Sequence, residues 1–329
     1  MNDRAARPPR DSRGMMLQIQ RMSTEDGPGI RSTVFFKGCS LSCSWCQNPE
    51  SLARKQELQW MKTRCIGCRE CVKACPEGAL TPGEAGMVID RMRCTVCGRC
   101  ADACPSTAME LIGEEWELDS LVTEVLKDRV YFEKSEGGVT LSGGEPSVQA
   151  RFAAALLSAL KSRGIHTALD TCGQASWETL ETLITHTDLV LFDVKEIDPE
   201  KHRRFTGRTN ELILENLMRL SRYSEEQETP RKLWVRTPMV PHATACRENI
   251  EGIGKFLARE LAGTVSRWEL CAFNNLCRDK YLRLDRQWPH ADEPLMRKEE
   301  MEAFAAAARA SGVEPSIVHW SGPTRAERG

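Results

Sequence analysis

Cysteine spacing constrains this chain more than any other feature of its sequence. Eleven of the fifteen cysteines lie between Cys39 and Cys104, in repeated C-x-x-C spacings. Disulfide scaffolds use cysteine at such density, but they are typically small, secreted and poor in hydrophobic core. At 329 residues, 41% of them hydrophobic, this chain is long enough to bury a large core. The clustering therefore indicates metal binding rather than a disulfide framework.

Charge and hydropathy narrow the range of partners. The formal net charge is −2, which argues against nucleic acid or an anionic membrane as the main partner. No stretch approaches the ~20 apolar residues of a membrane span. The arginines near the N-terminus precede no apolar run, so they do not form a signal peptide. We expect a cytoplasmic protein with disordered tails at residues 1–13 and 323–329.

Short apolar segments alternate with amphipathic helices beyond the cysteine-rich stretch. The predicted strands cover residues 31–37, 139–141, 166–170, 189–194, 233–237, 267–273 and 316–320. The predicted helices cover residues 148–162, 177–184, 211–220, 250–261 and 298–310. Such alternation is typical of parallel βαβ units in an α/β protein. Six or so repeats favour a barrel or open barrel, with its chemistry at the carboxyl ends of the strands. A doubly wound sheet is the alternative.

Three cysteines form the first motif. Cys39, Cys43 and Cys46 give C-x-x-x-C-x-x-C, with Trp45 directly before the last of them. Three thiolates in one loop can hold three irons of a four-iron cluster and leave the fourth iron without a protein ligand. An open metal position can bind a substrate directly. A zinc site completed by a distant residue is the alternative, but the 3-then-2 spacing gives it little support.

Two further runs repeat the bacterial ferredoxin pattern C-x-x-C-x-x-C-x-x-x-C-P. In that pattern the fourth cysteine of each run ligates the cluster of the other run. We therefore assign two four-iron clusters, one to Cys65, Cys68, Cys71 and Cys104 and the other to Cys94, Cys97, Cys100 and Cys75. These clusters either relay electrons to the first motif or belong to a docking or stabilising module.

Several of the predicted strands end in polar residues or glycines. Gly143, Gly144 and Glu145 stand at the end of one strand, Asp170 and Thr171 at the end of the next, and Asp193 and Lys195 at the end of a third. Glycines let a backbone approach a ligand closely, and a glutamate offers a hydrogen-bond acceptor. A single strand-end acid is usually solvated, but in a barrel these side chains would converge on one mouth.

The residues around the first motif resemble a known family. Residues 25–38, Glu-Asp-Gly-Pro-Gly-Ile-Arg-Ser-Thr-Val-Phe-Phe-Lys-Gly, lead into Cys39, and Gln-Asn-Pro-Glu follows Cys46. The cysteine spacing, with an aromatic residue before the third cysteine, resembles the radical S-adenosylmethionine (SAM) superfamily. The longer run resembles the activating proteins of glycyl radical enzymes. This resemblance covers the chain from about residue 14 to residue 320.

The resemblance implies an oxidoreductase that cleaves SAM reductively to a 5′-deoxyadenosyl radical. That radical would take a hydrogen atom from a glycine of a partner glycyl radical enzyme. The implied fold is a partial (β/α)6 barrel at residues 14–53 and 113–322, interrupted by a bacterial-ferredoxin-like insert at residues 54–112. The implied cofactors are three 4Fe–4S clusters and SAM. Flavodoxin or ferredoxin would donate the electron, under anaerobic conditions.

The same resemblance implies roles for individual residues. It implies SAM contacts from Trp45, Gly143, Gly144, Glu145, Asp193, Lys195, Arg236 and Asn274. It implies a monovalent-cation site formed by Asp170, Thr171 and Asp193 with the backbone of Leu191. Arg236 corresponds to an arginine that pairs with the SAM carboxylate, a contact suited to its bidentate fork. Asn274 stands where the family often carries a histidine, so hydrogen bonding is retained there and titration is not.

Four cysteines lie outside these patterns and are expected to be packing thiols, with Cys172 nearest to the predicted mouth. The others are Cys246, Cys271 and Cys277. Two alternative functions remain open. One is a radical SAM enzyme that acts on a small molecule or another peptide. The other is a multi-cluster electron carrier without catalysis, which would form no 5′-deoxyadenosine.

Overall fold

The computed structural model describes residues 12–227 and 229–325. Its strands are β1 (Arg13–Ser23), β2 (Arg31–Phe36), β3 (Glu57–Trp60), β4 (Leu80–Gly83), β5 (Gly86–Ile89), β6 (Met109–Ile112), β7 (Glu114–Glu117), β8 (Gly138–Gly143), β9 (His166–Thr171), β10 (Leu189–Asp193), β11 (Lys232–Met239), β12 (Val265–Ala272) and β13 (Val318–Ser321). Its α-helices are α1 (Glu70–Ala74), α2 (Arg99–Asp102), α3 (Leu118–Leu126), α4 (Arg129–Ser135), α5 (Ala150–Lys161), α6 (Trp177–Ile184), α7 (Pro199–Thr206), α8 (Glu211–Gln227), α9 (Arg247–Glu260), α10 (Arg278–Arg283) and α11 (Lys298–Arg309).

One nine-stranded sheet, in the order β13-β12-β11-β10-β9-β8-β2-β1-β7, organises the molecule. Strands β2 and β8 to β13 run parallel, while β1 pairs antiparallel with both β2 and β7. Helices between the parallel strands cover the sheet, as crossover connections require. The fold is therefore α/β, a partial (β/α)6 barrel that stays open between β13 and β7.

The parallel strands are apolar because the sheet is covered. All six residues of β2 are buried, and so are the first four residues of β10. The main core gathers Leu156 and Leu157 of α5, Phe192 of β10 and Trp268 of β12, each 1% exposed or less. Such continuous apolar runs are what a parallel sheet covered by helices needs. The same apolar runs allowed these strands to be predicted from the sequence.

The predicted strand–helix alternation is confirmed, but outside the insert it lacked strands β1 and β7 and helices α3, α4, α7 and α10. Strand β1 was not predicted, and it begins at Arg13, the last residue assigned to the N-terminal tail. Residues 1–11 and 326–329 of the predicted tails lie outside the described residues. Arg325 donates its backbone N–H to the carbonyl of Met296 at 2.9 Å. The short helix α7 was also missed, because its sequence is too polar to show a buried face.

The cysteine-rich stretch forms a small unit inserted between β2 and α3. Strand β3 pairs with β6, and β4 pairs with β5, both antiparallel, with α1 and α2 between them. Its own small core contains Leu58, Leu80, Ile89 and Met109, together with cysteine side chains. Glu57 ties the unit to the rest of the protein through ion pairs of 3.3 Å with Lys37, which follows β2, and 3.2 Å with Arg286, which follows α10. This is the predicted ferredoxin-like insert.

Over the described ranges, the helices are too short or too polar for any of them to cross a bilayer.

Candidate active site

A cavity of about 580 Å³ opens at the carboxyl ends of the parallel strands. This is the edge where barrels of this type carry their chemistry. The cavity brings together most of the predicted site residues. Those that line it are Cys39, Cys43, Trp45, Cys46, Gly143, Gly144, Asp170, Thr171, Asp193, Lys195, Arg236 and Asn274.

The loop that carries the three cysteines is fixed by backbone hydrogen bonds to its neighbours. The N–H groups of Ser42 and Ser44 donate to the carbonyl oxygens of Thr206 and Phe205 at 2.8 and 2.9 Å. The N–H of Cys39 donates to the carbonyl of Leu52 at 3.2 Å. Because α7 ends at Thr206, this polar helix serves as the support for the loop.

The three thiols are close enough to affect one another. Burial raises the pKa of Cys39 and Cys46 to about 12, and the neighbouring Cys43 thiol adds to both shifts. Three half-buried sulfurs that repel one another as thiolates need positive charge between them, and thiolate is the ligand that iron–sulfur clusters use. The donor set therefore fits a cluster bound by one loop.

Trp45 anchors this loop from the side. Its ring is buried and lies 5.8 Å from the Phe205 ring and 6.5 Å from the His290 ring, between centroids. Ser44 shares a hydrogen bond of 3.1 Å with Nε2 of His290. The indole thus packs the cysteine loop against α7 while it also lines the cavity.

The paired glycines at the end of β8 are required by the packing of the protein itself. A Cβ added to Gly143, whose φ is +110°, would lie 2.3 Å from the backbone nitrogen of Phe36. A Cβ added to Gly144 would lie 2.2 Å from the carbonyl oxygen of Gly38. We expected these glycines to admit a ligand, but their first role is to let β8 pass directly against the start of the cysteine loop.

Glu145 is directed into the protein. Its carboxylate is buried and accepts hydrogen bonds from the N–H of Ser147 (3.0 Å), the hydroxyl of Thr171 (2.9 Å) and the N–H of Cys172 (2.8 Å). These donors satisfy both oxygens. In this arrangement Gly143 and Gly144, rather than the Glu145 side chain, face the cavity.

Opposite charges from adjacent strands meet on the cavity wall. Asp193 and Arg236 are register partners in β10 and β11, and Asp193 also forms a close ion pair with Lys195. Arg236 lies 3.8 Å from Asp170 and 3.5 Å from Glu269. Burial alone would lower the pKa of Arg236, but the carboxylates of Asp170, Glu269 and Asp193 raise it, so the guanidinium stays charged. The wall offers a fixed cation to an anionic ligand group.

The predicted monovalent-cation ligands all have protein partners. Asp170 accepts a hydrogen bond of 2.6 Å from Ser142, Thr171 donates to Glu145, and Asp193 pairs with Lys195. Across the part of the chain that the structure describes, no three His, Cys, Asp or Glu side chains surround a common single-ion position. The cation remains a prediction.

Several residues that line the cavity were not predicted from the sequence. Gln18 and Gln20 of β1 and Asp26 after it line the cavity, and so do Cys172 and Cys271, which were expected to be packing thiols. Asp26 accepts hydrogen bonds of 2.6 Å from the hydroxyls of Ser23 and Thr33. The polar–apolar alternation around Gln18 and Gln20 was the available signal, since a half-exposed strand shows period two.

In the insert, the two ferredoxin runs cross over. One cavity is lined by the four cysteines of one predicted set, Cys75, Cys94, Cys97 and Cys100. For the other set, burial raises the pKa of Cys71, and the nearby thiols of Cys104, Cys68 and Cys65 raise it further. Each predicted set of four is therefore brought together, with the fourth cysteine supplied by the other run.

The fold and site define an iron–sulfur enzyme of the radical SAM superfamily. Residues 91–250 match the radical SAM superfamily, and residues 64–108 match the 4Fe-4S dicluster domain. The structure also resembles a radical SAM methyltransferase from Sphaerobacter thermophilus, with a TM-score of 0.50 and 12% identity over 93% of this chain and 76% of that one. At that identity the likeness concerns the fold alone.

Relatives define the family more narrowly. The trans-4-hydroxy-L-proline dehydratase activating enzyme of Clostridioides difficile is 38% identical over 304 residues, 92% of this chain and 98% of the relative. The isethionate sulfite-lyase activating enzyme of Oleidesulfovibrio alaskensis is 40% identical over 303 residues, 90% of this chain and 95% of the relative. The chain belongs to the activating enzymes of glycyl radical enzymes.

Proposed function

We propose that this protein activates a partner glycyl radical enzyme by forming a radical on one of the partner's glycines. When bound to Cys39, Cys43 and Cys46, a 4Fe–4S cluster supplies the electron that cleaves SAM to methionine and a 5′-deoxyadenosyl radical, which takes a hydrogen atom from that glycine. The observation that carries this proposal is the shared cavity, which is lined by three cysteines of one loop and by a half-buried, charged arginine from β11.

The residues of the cavity have positioning roles in this proposal. Arg236 pairs with the SAM carboxylate through its planar fork, since it is the guanidinium that lines the cavity with the cysteine loop. The backbone carbonyl oxygens at Gly143 and Gly144 accept hydrogen bonds from the amino group of SAM. Glu145 holds this turn in place from the side that faces away from the cavity. Asn274, Asp193 and Lys195 complete the walls. No protein acid or base is needed for hydrogen-atom transfer, so the chain's task is to orient SAM and exclude water.

Three clusters account for the eleven clustered cysteines. One loop provides three ligands, and each set of the insert provides four. The insert matches a dicluster domain, which supports two clusters there. We assign flavodoxin or ferredoxin as the electron donor, because such a centre needs a low-potential carrier of single electrons.

The partner is assigned by class only. Relatives at 33–40% identity include activating enzymes for a dehydratase, a sulfite-lyase and a choline trimethylamine-lyase. These partners consume chemically different metabolites, and the similarity does not favour one of them. The partner of this chain is accordingly a glycyl radical enzyme whose glycine loop enters the cavity.

An anaerobic turnover assay tests the proposal. The protein is reconstituted with iron and sulfide, reduced with dithionite and given SAM, and 5′-deoxyadenosine is measured. We expect product from the parent and from Cys246→Ala, a cysteine outside the cluster motifs, and none from Cys43→Ala. If the parent, fully loaded and reduced, makes no 5′-deoxyadenosine, the electron-carrier alternative is correct instead. Incubation with a candidate partner then yields a glycyl radical detectable by electron paramagnetic resonance (EPR).

A further inference from the structure

Residues 277–286, called here the bridging segment, contact the three-cysteine loop directly. The hydroxyl of Tyr281 donates a hydrogen bond of 2.9 Å to the carbonyl oxygen of Cys46. The thiol of Cys277 lies 3.6 Å from the same oxygen. Lys280 donates to the carbonyl of Gln47 and the side chain of Asn48 at 3.2 and 2.8 Å. The segment therefore holds the last cysteine of the loop and the residues that follow it.

The same segment contacts the ferredoxin-like insert. Arg91 of the insert donates to the carbonyl of Arg283 (3.3 Å) and to the carboxylate of Asp285 (3.1 Å). It also donates to the carbonyl of Leu58 within the insert at 3.0 Å. Arg286 of the segment pairs with Glu57 in the first strand of the insert at 3.2 Å. One short stretch of chain thus touches both predicted cluster-binding regions.

The bridging segment is buried and closely packed at the point where it meets the cysteine loop. Tyr281 is 6% exposed, and its ring stacks on Trp288 with centroids 5.2 Å apart and an interplanar angle of 14°. Trp288 packs in turn against Phe273, at 5.9 Å, which follows β12. Arg91 lies three residues before Cys94, the first cysteine of the second ferredoxin run. The path from insert to loop therefore consists of bonded atoms, hydrogen bonds and packed rings.

We propose that the bridging segment is the route by which single electrons pass from the insert to the three-cysteine site, with Arg91 and Tyr281 as its positioning residues. The proposal rests on the proposed function. With clusters bound at both places, one electron would leave a reduced cluster of the insert and arrive at the cluster held by Cys39, Cys43 and Cys46. A low-potential one-electron carrier of the flavodoxin or ferredoxin class restores the insert. No bond breaks and no proton moves in this step.

Electron coupling falls steeply as gaps open between donor and acceptor, so loosening either contact slows the transfer. In Arg91→Ala the insert loses its contacts to Arg283 and Asp285, and in Tyr281→Phe the loop loses one hydrogen bond while the ring stack is kept. Arg93→Ala is the matched control. Arg93 lies in the same stretch of the insert, and its side chain donates to the carbonyl of Glu77, also within the insert, at 2.6 Å.

Rapid-freeze EPR measures the transfer directly. Each cluster-loaded protein is mixed with reduced flavodoxin, and the signal of the three-cysteine cluster, recognised by its change on SAM addition, is followed in time. We expect Arg91→Ala and Tyr281→Phe to slow its appearance by about tenfold or more, with parental iron content and parental reduction of the insert. Arg91→Lys restores most of the rate, and Arg93→Ala matches the parent. Dithionite-driven SAM cleavage stays at the parental level in Arg91→Ala, Arg91→Lys and Arg93→Ala, because none of these side chains touches the three-cysteine loop.

The outcomes separate this proposal from the proposed function. If Arg91→Ala and Tyr281→Phe load fully and reach the reduced state as fast as the parent, electrons do not use this route. If Tyr281→Phe fails to load the loop cluster, the reduction rate of Arg91→Ala alone shows whether electrons use the bridging segment, because Arg91 does not touch the loop. If the parent makes no 5′-deoxyadenosine with dithionite, the proposed function fails first.

Discussion

The carboxylate of Glu145 accepts a hydrogen bond of 2.8 Å from the backbone N–H of Cys172. It thereby joins the turn after β8 to the end of β9, and it does so from a buried position. The same turn touches the cysteine loop, because the N–H of Glu145 donates to the carbonyl of Gly38 at 2.8 Å. One residue thus links two strand ends and the loop that carries Cys39.

Replacement of Glu145 by glutamine is expected to destabilise the protein by about 1–3 kcal/mol. The amide would place an NH₂ group against donors that now point at carboxylate oxygens, and a buried donor would be left without an acceptor. Denaturant unfolding of the parent and of Glu145→Gln measures the difference. Glu133→Gln, which removes an exposed pair with Arg129, is the control and should shift stability by less than about 0.5 kcal/mol. Equal shifts in the two variants would contradict the role given to Glu145.

Arg236→Lys is expected to weaken SAM binding by about tenfold or more while the protein still folds. Lysine keeps the charge that faces Asp170 and Glu269, but it lacks the planar fork that binds a carboxylate with two parallel hydrogen bonds. Anaerobic equilibrium dialysis of the cluster-loaded protein gives the dissociation constant. The exposed Arg219, paired with Glu215 on α8, provides the control substitution Arg219→Lys. An unchanged constant in Arg236→Lys would remove this arginine from the SAM site.

Most of the fold could be predicted because burial on both faces makes parallel strands apolar. β10 shows this clearly, since Leu189, Val190, Leu191 and Phe192 form one uninterrupted apolar run. Strand β1 was not predicted because it is half exposed and carries Gln18 and Gln20 toward the cavity. Helix α7 could be missed because it is short and polar, although Asp198 before Pro199 is a helix-start signal.

The grouping of the cysteines in the site could be predicted from the sequence, but the orientation of its carboxylates could not. Ligand spacing is local in sequence, so Cys39, Cys43 and Cys46 could be grouped without any structure. The direction in which Glu145 points depends on donors supplied by Thr171 and Cys172, about 26 residues further along the chain. Contacts of that range are set by packing, which the sequence pattern does not encode locally.

His202 is expected to make stability fall at acid pH. It is 1% exposed, its Nδ1–H donates to the carbonyl of Arg208 at 2.6 Å, and burial lowers the pKa of the imidazole. Below about pH 6.5 the unfolded chain therefore binds a proton that the folded chain rejects, and the free energy of unfolding decreases as pH falls. The denaturant midpoint of unfolding is measured at about pH 7.5 and at about pH 5.5. Its decrease between the two pH values should be larger for the parent than for His202→Gln. The exposed His242 gives the control His242→Gln, and a His202→Gln curve identical to the parent's would exclude this contribution.

Gly144→Ala is expected to remove the cluster from the three-cysteine loop and leave the insert loaded. The added Cβ would lie 2.2 Å from the carbonyl oxygen of Gly38 and 2.7 Å from that of Ser51, and backbone cannot yield as a side chain can. The loop would have to shift, and its three thiols would lose their common position. Iron analysis and EPR of the reduced protein should show only the signals of the insert. Gly252→Ala is the control, since its Cβ would meet only the side chain of Ile197, at 2.7 Å. Full iron content with a SAM-responsive signal in Gly144→Ala would mean that the close approach of β8 does not position the loop.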